Sequence, residues 1–454
     1  MSEDRNKILE ETIKRLLRRG ASSNLRKIVN KTHAADLSVV FRNLSVNSQR
    51  KLFDMIEDYE QRAVLLSELT EYTITDFIET MAVDELLEVF DFMPADDVAD
   101  LIADLPRETA DAVLEKMNTE ESEEVEDLLS YDDDTAGGIM VPDFVALSEE
   151  ISAKEAIESL QKDFPDVEMP FYLYVVDDHE RLVGVVSLRQ LVVVKPGTPL
   201  KEFMTTDIFS VKTDVDQEEV AKIVARYDIL AVPVVDDNNR LMGIVTVDDV
   251  IDIFRQEATE DILKMAGVGE EFVETQSVVS STRIRLPWLF ASCIGGILAF
   301  FIIGHFEHTL QQVTYLAAFL PVIMGMGGNI GTQSSTIVVR GLATGRLVST
   351  DLWNVVGKEL CIGLILGTIY GGLIALAAQM RFGAELNTSM LAVSVGLAVL
   401  SSMSVAALVG SLVPMVFGRI NIDPAVATGP FVTTSIDIIS VYCYFRIATQ
   451  LLGL

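Results

Sequence analysis

The run "PFVTTSIDIISVYCYF", Pro430 to Phe445, is apolar enough to lie in lipid, yet it carries an aspartate, Asp437, in its middle. A carboxylate at the centre of a bilayer costs about 2.5–3.5 kcal/mol on insertion scales, so an acid there either packs against a polar neighbour or marks an ion path. Gly429 and Pro430 break the helical pattern one to two turns earlier, and Thr433 and Thr434 supply hydroxyls. Unwound polar backbone is tolerated at membrane depth where it is buried or lines a cavity. The expected chemistry is contact between Asp437 and a cation in water.

A second polar stretch, "LPVIMGMGGNIGTQSSTIVV" from Leu320 to Val339, reads as a polar break within one apparent span. Gly325, Gly327, Gly328 and Gly331 surround Asn329, Thr332, Gln333 and Thr336. Membrane glycines commonly serve close helix packing. Asn329 and Gln333, however, lie four apart and share one helix face. Their neutral amide oxygens offer acceptors to a hydrated cation without holding it fast.

Positioning these groups requires membrane helices, each of about 20 apolar residues for a hydrocarbon core of about 30 Å. Five are expected, at Leu286 to Ile303, Tyr315 to Val339, Leu360 to Gln379, Met390 to Phe417 and Ala425 to Leu451. Arg283 and Arg285 precede the first, and Arg340, Arg346 and Lys358 fall between the second and third. The loop "GHFEHTLQQVT" after the first has no Lys or Arg. The positive-inside rule then puts the N-terminus in the cytoplasm and, after five spans, the C-terminus outside. Arg419 agrees with this orientation, whereas Arg381 and Arg446 fall toward the other side.

The remainder is acidic and accounts for nearly all of the formal charge of −33 on 454 residues. Such a surface repels nucleic acid and attracts cations. Residues 5–135 show apolar positions three and four apart, punctuated by Pro94 and Pro106, which predicts a small all-helical domain. Residues 136–255 contain a repeat: "YVVDDHERLVGVVSLRQL" recurs 59 residues later as "PVVDDNNRLMGIVTVDDV". Each copy predicts a strand, an Asp-rich turn, a second strand through Gly184 or Gly243, and a helix start. Residues 256–283 predict an acid-bearing connecting helix, and 284–454 the membrane domain.

The repeat resembles a tandem pair of cystathionine β-synthase (CBS) domains, regulatory modules that often bind adenine nucleotides. That resemblance implies a ribose contact from Thr246 and Asp249, and possible ATP binding; the first copy has Ser187 and Gln190 at these places. Taken together, "GGNIGTQ", "DPAVATGPFVTTSIDI" and "DDTAGGIMVP" identify the whole chain as similar to the MgtE family of magnesium channels. The resemblance implies a homodimer in the plasma (inner) membrane of a prokaryote. Its pore lies on the dimer axis, lined by Asn329, Thr332, Gln333, Thr336, Gly429, Thr433 and Asp437, with Asp437 meeting hydrated Mg²⁺. Many members carry Asn at the position of Thr332. It also implies a cytoplasmic magnesium sensor built from Asp96, Asp100, Glu218, Asp228, Asp249, Asp252, Glu257, Glu260 and Asp261, with Asp423 placed to meet Glu260 or Asp261.

Magnesium suits such sites because it dehydrates reluctantly and is held largely through its waters. Many sites are needed. A threefold excess over a dissociation constant stabilises a bound state by about 0.8 kcal/mol per site, while a full two-state switch takes about 5.5 kcal/mol, so about seven weak sites are required. Two alternative functions share some of these features: an ion-coupled secondary transporter using Asp437 as a proton carrier, and a membrane-tethered CBS nucleotide sensor. The scattered His33, His179, His305 and His308 form no catalytic constellation, and the widely spaced Cys293, Cys361 and Cys443 suggest neither disulfides nor zinc. An enzyme is not expected.

Overall fold

The computed structural model describes residues 2–69, 71–163, 172–268, 278–344, 347, 352–382, 388–420 and 422–454. The chain divides into two compact units, Met1–Phe254 and Arg255–Leu454.

The first unit begins with short helices, from Ser2–Arg19 to Thr119–Leu128, as the three-and-four spacing predicts. Pro94 and Pro106 stand at the N-caps of Ala95–Ala103 and Arg107–Leu114, where a missing N–H costs nothing. Two small sheets follow. β1 (Ala146–Ser148) pairs parallel with β2 (Tyr172–Val176), and β2 antiparallel with β3 (Leu182–Ser187). β4 (Val211–Lys212), β5 (Ala231–Val235) and β6 (Leu241–Thr246) repeat the pattern, down to a register shift at Val175/Val176 and at Val234/Val235.

The Asp-rich turns are structural. Asp177 accepts from the backbone N–H groups of His179 and Arg181, and Asp236 from those of Asn238 and Arg240, closing both hairpins in the same way. The repeats also exchange edges: Val141 pairs with Ile244 of the second copy, and Thr205 with Val185 of the first. A side chain at Gly184 would strike Met204, and one at Gly243 would lie 2.8 Å from Met140. Backbone approach thus dictates glycine at the same place in each copy. One hydrophobic core runs from Leu37, Phe53 and Leu86 of the helical part to Val220, Val245 and Val250 of the second repeat.

In the second unit, five helices among the described residues are long and apolar enough to cross a bilayer. Span one is Val278–His305, span two Leu320–Ala343, span three Leu352–Phe382, span four Thr388–Arg419 and span five Pro430–Leu452. Three expectations change. Span three starts eight residues before Leu360, so Lys358, expected in a loop, sits in the helix beside Glu359; Arg346 lies outside the described residues. The connecting segment 256–283 is not one separate element: its first part continues helix Val247–Met265, its last part belongs to span one, and 269–277 lie outside the described residues. Span two, finally, is unbroken through all of its glycines. Opening its backbone would leave polar groups unpaired in lipid, and at Gly327 and Gly331 close packing offsets the roughly 1 kcal/mol that a helical glycine costs.

Candidate functional site

Span two has two faces set by the period of 3.6 residues. Gly327, Ile330, Gly331, Ser334, Ser335 and Val338 are buried. A side chain at Gly327 would lie 2.6 Å from Ser402 Oγ and 3.0 Å from Ser440 Oγ, and one at Gly331 would strike Ile436 of span five. The glycines let spans four and five approach the helix backbone, and Ser402 adds a 2.7 Å bond to Ser440 and a 3.2 Å bond to the Ile323 carbonyl. On the opposite face Asn329, Thr332 and Gln333 are exposed and Thr336 is half-buried, a polar stripe pointing out of the helix bundle. The Thr332 hydroxyl donates to the Gly328 carbonyl at 3.0 Å, which leaves its oxygen lone pairs free to accept.

Gly429 and Pro430 start span five rather than interrupt it, with Gly429 at the N-cap after a short 3₁₀ turn, Pro424–Ala427. Two turns on, Asp437 is half-buried and, among the described residues, has no hydrogen-bond or ion-pair partner. Thr433 lies one turn before it on the same side and donates to the Gly429 carbonyl at 3.2 Å. Thr434 instead packs into the space left by Gly295 of span one.

The start of span five is locked to the end of helix Val247–Met265. A side chain at Gly429 would lie 2.9 Å from the Met265 carbonyl, and one at Gly267, whose φ of +72° suits glycine, would lie 2.7 Å from Pro430. Lys264 pairs with Glu260 and reaches Asp423 at 2.8 Å. An ammonium therefore bridges two acids that sequence reasoning had expected to meet through a metal. Asp423 also caps the 3₁₀ turn by accepting from the Ala425 N–H at 2.7 Å.

In the first unit Asp96 and Asp100 lie one turn apart on Ala95–Ala103, near Asp249. Asp96 Oδ1 is buried without a partner, and burial, reinforced by Asp97 and Asp249, pushes the carboxyl well above the usual range. Asp100 reaches solvent on one side, yet desolvation and the neighbouring Asp97, Asp133, Asp104 and Asp249 push it up to about 7. Asp249 is pushed up to about 6, chiefly by burial, against a 2.5 Å bond from Thr246 Oγ1 that favours its charged form. Sequence reasoning missed Asp97, which follows Asp96 directly and accepts from Ser67 at 2.6 Å, and Asp104, one turn beyond Asp100 at the cap of the same helix; Asp133 joins the cluster through the fold.

The other expected ligands are dispersed. Glu218 pairs with Lys222 at 2.8 Å, and Asp228 ends helix Gln217–Tyr227 in the left-handed conformation. Asp252, Glu257 and Asp261 follow along helix Val247–Met265, each engaged with a neighbour. Among the described residues no three acidic, histidine or cysteine side chains converge closely enough to grip a bare metal ion. An oxygen-only donor set with one buried unpaired oxygen fits a hydrated divalent cation instead. At the possible nucleotide position, Thr246 and Asp249 bond to each other, while Ser187 and Gln190 close a capping box around their own helix start.

A buried acid in the membrane also escaped sequence reading. Glu359 of span three is 4% exposed and accepts a 2.7 Å hydrogen bond from Ser334 of span two. Its signal was a Lys-Glu pair just ahead of the expected third span.

A family model described as a divalent cation transporter matches residues 320–447. The MgtE intracellular N domain matches 32–134, and CBS domains match 136–197 and 200–256. The magnesium transporter MgtE of Bacillus subtilis is 34% identical over 448 residues, covering 96% of this chain and 95% of the relative. The chain belongs to the MgtE family. The MgtE of Thermus thermophilus is likewise 34% identical, with 98% of each chain covered. The crystal structure of the cytosolic domain of the Mg²⁺ channel MgtE in complex with ATP is 34% identical and superposes with a TM-score of 0.51, covering 54% of this chain and 99% of the other. MgtE relatives matched along their whole length are transporters, and this chain is not an enzyme.

Proposed function

We propose that the chain carries magnesium across the plasma membrane through an aqueous path lined by spans two and five, as a channel that cytoplasmic magnesium closes. Asp437 carries this reading: a half-buried carboxylate without a partner among the described residues, in a membrane helix packed against one whose polar stripe is exposed. Neither group is stable against lipid, and both suit a hydrated divalent ion. In a homodimer two Asp437 side chains would bring two negative charges to one ion. The orientation follows the basic residues, with the N-terminus cytoplasmic and the C-terminus outside.

Closure rests on the acids of the first unit. Asp96, Asp97, Asp100 and Asp249 repel one another, and a bound cation relieves that repulsion. Glu218, Asp228 and Asp252 of the first unit and Glu257, Glu260 and Asp261 at the start of the second add weaker, dispersed sites. Helix Val247–Met265 ends against Gly429 and Pro430, so a displacement of that helix bears directly on the start of span five. ATP is a further ligand in this reading, at Thr246 and Asp249, because a 34% identical cytosolic domain was solved with it.

The test is magnesium uptake into proteoliposomes with Asp437→Ala. Uptake should be abolished while the protein still reconstitutes; unchanged uptake would overturn the pathway. Unitary currents in bilayer recordings would separate a channel from a coupled transporter.

A further inference from the structure

Among the described residues, Asp437 and Glu359 are the two carboxylates set well inside spans two to five, and their surroundings are opposite. Glu359 is almost fully buried and bonded to Ser334, itself 1% exposed. A buried carboxyl is retained only where it is hydrogen-bonded, and this bond joins span three to span two. It stands one turn from a small apolar cluster of Val338, Val356 and Met415, which packs the ends of spans two, three and four. At about 100° per residue, Ser334 lies on the far side of span two from Thr332 and Thr336. The bond therefore grips the back of the helix whose front carries the polar stripe.

We propose that Glu359 is a positioning residue for ion selectivity: by holding Ser334 it sets the rotation of span two, and so the direction in which Asn329, Thr332, Gln333 and Thr336 face. The inference rests on the reading that this stripe lines the path. Packing of Gly327 and Gly331 against spans four and five fixes how close span two lies, and the buried Ile323, Ile330 and Val338 seat the same face, but these apolar contacts are non-directional and leave it some freedom to rotate. A directional bond from a buried hydroxyl removes that freedom. Ser335 is a built-in control, because it is equally buried and its hydroxyl has no partner among the described residues.

The experiment uses the full chain in proteoliposomes, with Cys293, Cys361 and Cys443 replaced and Thr332→Cys introduced as a probe for a charged, water-borne thiol reagent. Labelling should fall about tenfold on adding Ser334→Ala or Glu359→Leu, the size expected when a buried bond to a carboxylate is lost. With Thr332 intact, the preference for magnesium over potassium should fall comparably. Glu359→Gln, whose amide oxygen can still accept from Ser334, should restore both, and Ser335→Ala should change neither. If Ser334→Ala and Glu359→Leu match Ser335→Ala in labelling and selectivity, whatever happens to thermal stability, the positioning role is overturned. Should Glu359→Leu fail to assemble, Ser334→Ala decides alone. Absence of labelling at Thr332→Cys in the otherwise unaltered chain overturns the pathway reading as well, whereas labelling indifferent to Ser334 overturns the positioning role alone.

Discussion

In the first unit Asp97 and Asp249 stand near enough to Asp96 and Asp100 to raise their proton affinity, and among the described residues one buried oxygen of Asp96 has no partner. Among the described residues Asp437 of span five has neither an acidic neighbour nor a hydrogen bond. Crowding and isolation suit different tasks. Repulsion stored among crowded acids is released when a cation arrives, which couples occupancy to conformation. A solitary acid at the edge of a polar stripe can attract an ion and let it go, because among the described residues no second carboxylate completes a tight site beside it.

The largest effect that would sharpen this contrast comes from the contacts that set span two against span five. Gly331→Val should destabilise the membrane unit by about 1–3 kcal/mol through collision with Ile436, whereas Gly328→Ala, which meets nothing nearby, should be tolerated. Thermal melts of the full chain in detergent would check both; equal sensitivity at the two positions would break the assignment of two distinct faces.

Next in size is the crowded cluster. Combined Asp96→Asn, Asp100→Asn and Asp249→Asn should leave currents open at magnesium concentrations that close the parent. It should also remove about 0.8 kcal/mol of magnesium-dependent stabilisation per lost site at a threefold excess over the dissociation constant. Closure unchanged in this variant would mean that crowding serves packing rather than sensing.

The same cluster predicts a pH dependence without divalent ions. Folded carboxyls at about 7 for Asp100 and about 6 for Asp249 hold protons that the unfolded chain releases near 3.8. Their contribution to stability is therefore full below about pH 4 and is lost as pH rises through about 6 to 7. Melting temperatures in a chelating buffer should decline across that window, and added magnesium should flatten the decline. A rise across the window would contradict the crowding.

The smallest effect concerns Lys264. Replacing it by Met leaves Glu260 and Asp423 without their shared ammonium, so magnesium should close the current at a concentration lower by up to about fivefold, as suits a half-exposed ion pair. A shift to higher concentration would show that the lysine supports closure instead of competing with the metal.

Much was legible from residue order because the relevant physics is local. Periodicity announced the helical segment, the 59-residue repeat announced paired hairpins with matching Asp turns, and an acid in an apolar run announced Asp437. Element ends were less legible: Gly429 and Pro430 read as an interruption and proved to be a helix start, since a proline at the first helical position and one inside a helix look alike until the preceding turn is seen. The glycines of span two looked like a break because helix propensity weighs against them, and at Gly327 and Gly331 only the neighbouring Ser402, Ile436 and Ser440 turn that small local loss into a packing gain.

Sequence alone determined which residues could bind a cation and which segments could enter a membrane, because charge, amide chemistry and apolar length belong to the chain itself. Tertiary structure decided which of those acids are crowded, which is solitary and which is bonded. Asp133 and Asp249 join Asp100, Lys264 reaches Asp423, and Ser334 meets Glu359 only because segments distant in sequence are brought within a few ångströms, and no local pattern encodes that separation.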